Sequence, residues 1–539
     1  MTRPRLRVVV LAAICASLPF VLAAAPTPMP MVSPTASPAA ATPVPPSPTS
    51  APTPASAVLA PPTPSLPASD TFGKIGTLER AGAGPLPSKQ HHPRRTTSPS
   101  AFTQYLKDQD PQVVERAAFA VGRLRNVDGV RPLVDILESQ TASDSVKAAA
   151  AFALGAIHSQ NGEAALVSAA LHGSSEVAGA AADSLGRIGG DSVVDPLSRL
   201  LSSRDAYVRG KAAIGLGEAT ATVLAPRPID SAYRFNAGRA VSSAIAYERD
   251  PETKWRMAWA IGRSLYDVDQ ANLRAMIADP NELVRANAAA GMRRLKDPKY
   301  ALALHLAVND PSWRVRVEVA RALAALRDTT HVDLTPPAVP AADQAMPKAL
   351  AADAPYGQHP QVAIVTTKGV IVLELFPDEA PYNVDNFLYL VDKGYYDRTE
   401  LFRVIQDFVI QGGDATNTGD GGPGYSVPAE LNPVEQLTGV IALGLDYPNN
   451  VPDVDSGGSQ YYITESPQLH LDANFSTFGR VVKGMAVVDA IRVHDADNAA
   501  DRVKPADIVL RMFRCEPVSP QTPDVEQLLR TKEIGYDAR

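Results

Sequence analysis

Between residues 105 and 328 the apolar positions recur at helical spacing, and the pattern itself repeats. An apolar residue, a small one four positions later and an apolar one eight positions later share one helix face, because 3.6 residues make a turn. Seven copies begin at Val113, Val146, Val177, Val208, Thr253, Val284 and Val315, the fifth being degenerate. Ala117, Ala150, Ala181 and Ala212 hold the middle position of the first four, and Gly122, Gly155, Gly186 and Gly217 close them. Successive starts lie 33, 31, 31, 45, 31 and 31 residues apart. A period near 31 with room for two short helices predicts an α-solenoid. Asp110-Pro111, Asp279-Pro280 and Asp310-Pro311 precede three copies and read as helix starts, Asp capping and Pro standing where no donor is needed. The 45-residue interval predicts an insertion of about 14 residues, a loop around Ala219–Phe235.

The pattern then changes twice. Residues 329–358 are rich in Ala and Pro without periodicity and read as a linker. Val362–Val365 and Val370–Leu375 are β-rich runs about Lys368-Gly369, a hairpin. Asp378–Lys393 has helical spacing and stops at Gly394; short strands with glycine-rich turns follow. That order predicts a β-barrel plugged by helices. With a core of its own on each side of the linker, 105–328 and 358–517 are each expected to fold alone.

The first hundred residues differ from the rest. Arg3, Arg5 and Arg7 precede an uncharged apolar run from Val8 to Ala25 that ends in small residues, the layout of a secretory signal peptide over 1–25. An uncleaved membrane anchor is the alternative, and only in that case would the membrane be a partner. Fifteen prolines between Pro26 and Pro67 make 26–104 a disordered, polyproline-prone stalk. Ser88–Arg95, with adjacent His91 and His92, reads as solvated linker, not a metal site. Removal of the signal would take Cys15 and leave Cys515 as the one thiol, so no internal disulfide is available. The expected address is exported, the bacterial periplasm. A net charge of −7 over 539 residues argues against nucleic acid as a partner. The tail 518–539 holds Val525–Leu529, one short helix at most.

The repeats resemble short HEAT-like repeats, which implies a curved surface that binds another protein, unidentified from sequence. A second resemblance rests on Leu401-Phe402-Arg403-Val404-Ile405-Gln406-Asp407-Phe408-Val409-Ile410-Gln411-Gly412-Gly413-Asp414. Gly421–Tyr425, Glu430-Leu431, Gly439–Ala442, Gly458–Ile463, His470-Leu471-Asp472 and Phe475–Val481 follow in order. Over 359–517 these blocks resemble the cyclophilin-type peptidyl-prolyl cis-trans isomerases. The resemblance implies an eight-stranded barrel capped by two helices, acting on proline-containing polypeptides without cofactor or metal.

Carried over by position, the resemblance makes Arg403, Phe408 and Gln411 catalytic. Val409, Tyr462 and Leu471 join Phe408 in the proline pocket, Gly444, Leu445 and Gln460 border the preceding residue, and His470 and Phe475 form the rim. Val409 replaces a usual methionine, Tyr462 a phenylalanine, His470 a tryptophan, Leu445 an asparagine and Phe475 a histidine. Arg403 is expected to face an open groove. The Asp446–Gly458 loop is acidic, but Asp453 and Asp455 lack the later Glu that a calcium loop needs. Two functions are compatible with these residues: an exported folding catalyst whose solenoid recruits clients, or a scaffold whose barrel binds proline segments without turnover.

Overall fold

Each repeated motif forms one helix, and a second helix, shorter in every case but one, leads to the next. In chain order they are α1 (Pro111–Arg123), α2 (Val130–Leu137), α3 (Asp144–Ile157), α4 (Glu163–His172), α5 (Ser175–Ile188), α6 (Val194–Leu200) and α7 (Ala206–Thr220). Then come α8 (Ser231–Ile245), α9 (Pro251–Ser264), α10 (Gln270–Met276), α11 (Glu282–Leu295), α12 (Ala301–Leu306) and α13 (Trp313–Ala325). This computed structural model describes residues 100–519 apart from 222–226, 228, 265–269, 352–353, 355–358, 447–452, 455 and 496–503. The expected signal segment, the proline-rich stalk as far as residue 99, Ser88–Arg95, the tail from 520 and most of the Asp446–Gly458 loop lie outside the described residues. Ser100–Thr103, expected in the disordered stalk, instead form a helical turn that buries Phe102 in the solenoid core.

The odd-numbered helices form a continuous row because their closing glycines allow backbones to touch. A Cβ on Gly186 of α5 would lie 2.4 Å from the Gly215 Cα of α7, and one on Gly122 would lie 2.8 Å from the Ala153 Cα of α3. Three arginines that follow the first motif residue tie each repeat to the next. Arg209 pairs with Glu248, Arg285 with Asp310, and Arg316 with the Asp333 and Thr335 carbonyls. Each also donates to carbonyls of the turn before its own helix.

Two local expectations change. Asp110 caps α1 with Pro111 at its first position, as expected. In α11 and α13, however, Asn281 and Ser312 occupy the cap positions, and Asp279 and Asp310 accept from their amides at 2.9 and 2.8 Å. The Asp-Pro pair there builds the turn, one step before the helix. The insertion is only partly a loop: Ala219 and Thr220 finish α7, and Ser231–Phe235 already belong to α8, capped by the Asp230 side chain. At 15 residues, α8 takes up about two turns beyond the 7 to 10 residues of α2, α4 and α6.

The second domain is one curled antiparallel sheet. Its strands are β1 (Gln361–Thr366), β2 (Val370–Leu375), β3 (Arg403–Ile405), β4 (Val409–Gly412), β5 (Val440–Leu443), β6 (Tyr461–Thr464), β7 (Thr477–Lys483), β8 (His494–Asp495) and β9 (Val509–Cys515). They lie in the order β8-β3-β4-β6-β5-β7-β2-β1-β9. A Glu400–Ile508 bridge links the approach to β3 with the approach to β9, drawing the two ends of the sheet together. Beside the two-residue β8 there are eight strands, the number expected. Two helices, α14 (Pro381–Asp392) and α15 (Met485–Ala490), cap the barrel, and α14 starts later than its apolar spacing suggested because Pro381 takes the first helical position.

The domains are packed against each other. Leu437, Val440 and Leu469 of the barrel join the solenoid's apolar cluster, and Phe152 of α3 joins the barrel's. Around them Arg116 pairs with Glu430 at 2.6 Å, Lys211 with Glu435 at 2.8 Å, and Arg314 with Asp489 at 2.9 Å. Arg256 also bonds Glu435. The connecting segment is tied to both sides. Val332 is buried in the solenoid, the Trp313 indole donates to the Leu334 carbonyl at 2.8 Å, and Leu350 N–H donates to the Arg514 carbonyl at 2.9 Å.

Candidate active site

Strand register assembles the polar half of the site. Arg403 on β3 stands opposite Gln411 on β4, which stands opposite Tyr462 on β6. The Arg403 Nη1 donates to Gln411 Oε1 at 3.4 Å, and Gln411 Nε2 donates to Gln460 Oε1 at 3.1 Å. Gln460 Nε2 is in turn held by the Gly419 and Gly421 carbonyls at 2.8 and 3.0 Å. An arginine, two amides and two backbone carbonyls thus form one chain in which each donor orients the next group. Gly444 lies beside it, its N–H on the Gln460 carbonyl at 2.8 Å, where an added Cβ would come within 3.1 Å of the Gln460 side chain.

The apolar half draws on the buried core of the barrel, to which Phe408, Val409, Leu445, Tyr462, Leu471 and Phe475 all belong. Phe475 meets Tyr462 edge-on at 5.5 Å, and His470 stacks on Phe408 at 6.0 Å with the rings 12° apart. Burial drives the His470 pKa well below its usual value, and Arg263 and Arg294 of the solenoid add to this. The imidazole is therefore a neutral stacking surface at ordinary pH. Direct contacts or strand register thus link Arg403, Gln411, Gln460, Gly444, Tyr462 and Phe475 and pair Phe408 with His470, while Val409, Leu445 and Leu471 share the barrel's buried core.

The family follows from this domain. Residues 361–513 match the cyclophilin type peptidyl-prolyl cis-trans isomerase/CLD family, and 130–217 and 270–345 match HEAT repeats. Peptidyl-prolyl cis-trans isomerase-like 1 of Mus musculus is 41% identical over 153 residues, 27% of this chain and 90% of that protein. The chain belongs to the cyclophilin-type peptidyl-prolyl cis-trans isomerases. Peptidyl-prolyl cis-trans isomerase-like 1 of Neurospora crassa is 44% identical over 130 residues, 24% of this chain and 77% of that protein. A peptidyl-prolyl cis-trans isomerase of Synechococcus elongatus is 39% identical over 137 residues, 25% of this chain and 90% of that protein. A cyclophilin type isomerase structure from Cryptosporidium parvum covers 30% of the chain and 99% of itself, at 26% identity and a TM-score of 0.27.

This cyclophilin has site residues that its sequence did not disclose. The Tyr462 hydroxyl donates to Gln436 Oε1 at 2.8 Å, and the Gln436 N–H donates to the Asp472 carboxylate at 2.8 Å. A tyrosine where phenylalanine is usual brings a hydroxyl into an apolar pocket, and a buried hydroxyl needs a partner; that was the available signal for Gln436. On the outer side of the pocket, Arg125 of the solenoid donates to Asn474 Oδ1 at 2.8 Å and Arg321 to the Gln406 carbonyl. These contacts lie next to Phe475 and two residues before Phe408. The cyclophilin pocket is also not the open groove expected: Arg403, Phe408, Gln411 and Phe475 are all buried. Among the described residues no cluster of three or more His, Cys, Asp or Glu could hold a metal.

Proposed function

We propose that this isomerase turns X-Pro bonds in exported polypeptides, as a folding catalyst, with Arg403 as its electrostatic catalyst. The amide C–N bond resists rotation because resonance must be lost, a barrier of about 18–20 kcal/mol. No bond is broken, so the useful groups are a slot for the proline ring and a fixed donor at the twisting amide. Phe408, Val409, Tyr462 and Leu471 supply the slot. The Arg403 guanidinium stays charged at any relevant pH and donates through a rigid fork to the carbonyl, or to the imide nitrogen as it becomes pyramidal. A donor that bonds the twisted state better than the planar one lowers the barrier.

The observation that carries this reading is the Arg403–Gln411–Gln460 chain beside an apolar pocket. Gln411 fixes the arginine before substrate arrives, so little reorganisation is left for the reaction itself. Leu445 cannot hydrogen-bond a substrate backbone through its side chain, which leaves the Gln460 amide and the backbone of β5 to position the peptide. A protease-coupled assay on a tetrapeptide X-Pro substrate, run on the full chain, tests the reaction. Export is tested separately by the N-terminal sequence of the mature protein. A start near Ala24 or Ala25 supports it, and an intact Met1 contradicts cleavage.

A further inference from the structure

The residues that must touch substrate are sealed. Arg403 is 4% exposed, Phe408 2%, Phe475 1% and His470 8%. A proline ring and its flanking backbone cannot reach an arginine so enclosed, and solenoid residues stand on its margins. Phe152 of α3 packs into the apolar core of the barrel, the core to which the pocket residues also belong. It is braced there by Phe119, edge-on at 5.4 Å, and by the Arg187 guanidinium 5.0 Å above its ring. Arg125 and Arg321 bond Asn474 and Gln406, next to Phe475 and two residues before Phe408 in the chain. The Glu435-Gln436 dipeptide joins the two systems: Glu435 is gripped by Lys211 and Arg256, and Gln436 holds the pocket's Tyr462.

The chemistry of this contact is that of a reversible one. Three barrel carboxylates, Glu430, Glu435 and Asp489, are buried against solenoid cations. Buried ion pairs return little more than their desolvation cost, and on separation water solvates both partners again. The contact is mixed, with Leu437, Val440 and Leu469 buried in the solenoid beside these pairs, whereas a permanent interface would be mainly apolar. Because the domains share a chain, their contact is intramolecular, and weak bonds hold it closed at a high effective concentration.

We propose that the α1–α13 row of the solenoid is an intramolecular lid on the proline pocket. Catalysis requires the two domains to part. This rests on the reading of the Arg403 pocket as the isomerase site. The lid lowers apparent activity by the fraction of molecules that are closed, and weakening it restores that fraction.

The test compares kcat/KM on a tetrapeptide X-Pro substrate for full-length wild type, Phe152→Ala, Glu435→Gln and Arg403→Ala. The two interface variants come from different domains, and Glu435→Gln preserves shape, so the result does not hang on one substitution folding. Each is expected to raise kcat/KM by about fivefold or more, as a competent minority becomes a majority, while Arg403→Ala abolishes activity. Interface variants within twofold of wild type, with Arg403→Ala inactive, would overturn the lid and leave the site reading intact. Interface variants that lower kcat/KM would also overturn it, making the solenoid a wall that binds substrate. An active Arg403→Ala protein would defeat the site reading, and the lid with it.

Discussion

The Glu435 carboxylate of the barrel lies 2.8 Å from the Lys211 ammonium of the solenoid, with both side chains buried and Arg256 on the other carboxylate oxygen. Burial alone would raise the Glu435 pKa, but Arg256 and Lys211 overcome it and hold the group at about 2. One anion thus serves two buried cations. Glu435→Leu leaves Arg256 with Glu252 alone and Lys211 with Asp183 at 4.0 Å, and is expected to cost about 3–5 kcal/mol, the usual range for breaking a buried pair. Lys211→Met keeps the Arg256 pair and is expected to cost clearly less. Urea unfolding of both variants checks the order, and an equal or reversed order contradicts this division of roles.

The pocket tyrosine gives a more local test. Tyr462→Phe removes the hydroxyl that Gln436 accepts at 2.8 Å and keeps the ring that lines the slot. A buried acceptor left without its donor costs about 1–3 kcal/mol. Stability is therefore expected to fall by that amount while kcat/KM stays within a few-fold of wild type. Denaturant midpoints and the peptide assay separate the two effects. A large loss of turnover with stability unchanged would place the hydroxyl at the substrate.

Much of this architecture is legible in the sequence. The 0, 4, 8 stripe defines every odd-numbered helix of the solenoid because burial of one face forces helical periodicity. Arg403, Gln411 and Tyr462 end up side by side because their strands pair in the register the motifs imply. The docking is not legible, for a physical reason. Arg116, Lys211, Arg256 and Arg314 lie off the apolar stripe, and an isolated cation there reads as solvent-facing. Its partner is set only by the tertiary fold, as when Arg116 meets Glu430 more than 300 residues later. Phe119 and Phe152, also off the stripe, are an apolar hint that this face is covered.

The closing glycines make a prediction about the solenoid alone. Gly186→Ala would put a methyl 2.4 Å from the Gly215 Cα, where only backbone stands and nothing can swing aside. Overpacking of this kind typically costs about 1–3 kcal/mol. Thermal unfolding of the full chain should show a lower Tm, and a Tm equal to wild type would mean that α5 and α7 do not pack this closely.

Acidity should act on the interface with a definite sign. Asp407 is pushed up to about 7 by burial and then by Glu318 of the solenoid, with Arg321 and Arg314 opposing. Asp489 is pushed up to about 6 by burial, against Arg314. Raised carboxyl values favour the folded state while protonated, so that contribution is full below the unfolded value near 3.8 and is lost as pH rises through 6 to 7. Glu435 behaves oppositely. Its contribution is full above 4.5 and is lost as pH falls toward 2. Tm is expected to be highest near about pH 4 to 4.5 and to decline as pH rises from there to about 7. Calorimetric scans across that range check this, and a Tm that keeps rising from about pH 4.5 to 7 contradicts it.

The most direct test of the whole account is kcat/KM on a tetrapeptide X-Pro substrate for Arg403→Ala and Arg403→Lys, with circular dichroism to verify the fold. Loss of a preorganised donor at a charge-developing centre costs roughly 2.7–4 kcal/mol, so Arg403→Ala is expected to be slower by about 10²–10³-fold. Arg403→Lys is not expected to rescue it, since a point charge cannot reproduce the planar fork that Gln411 holds. A folded Arg403→Ala protein with wild-type turnover would contradict the mechanism.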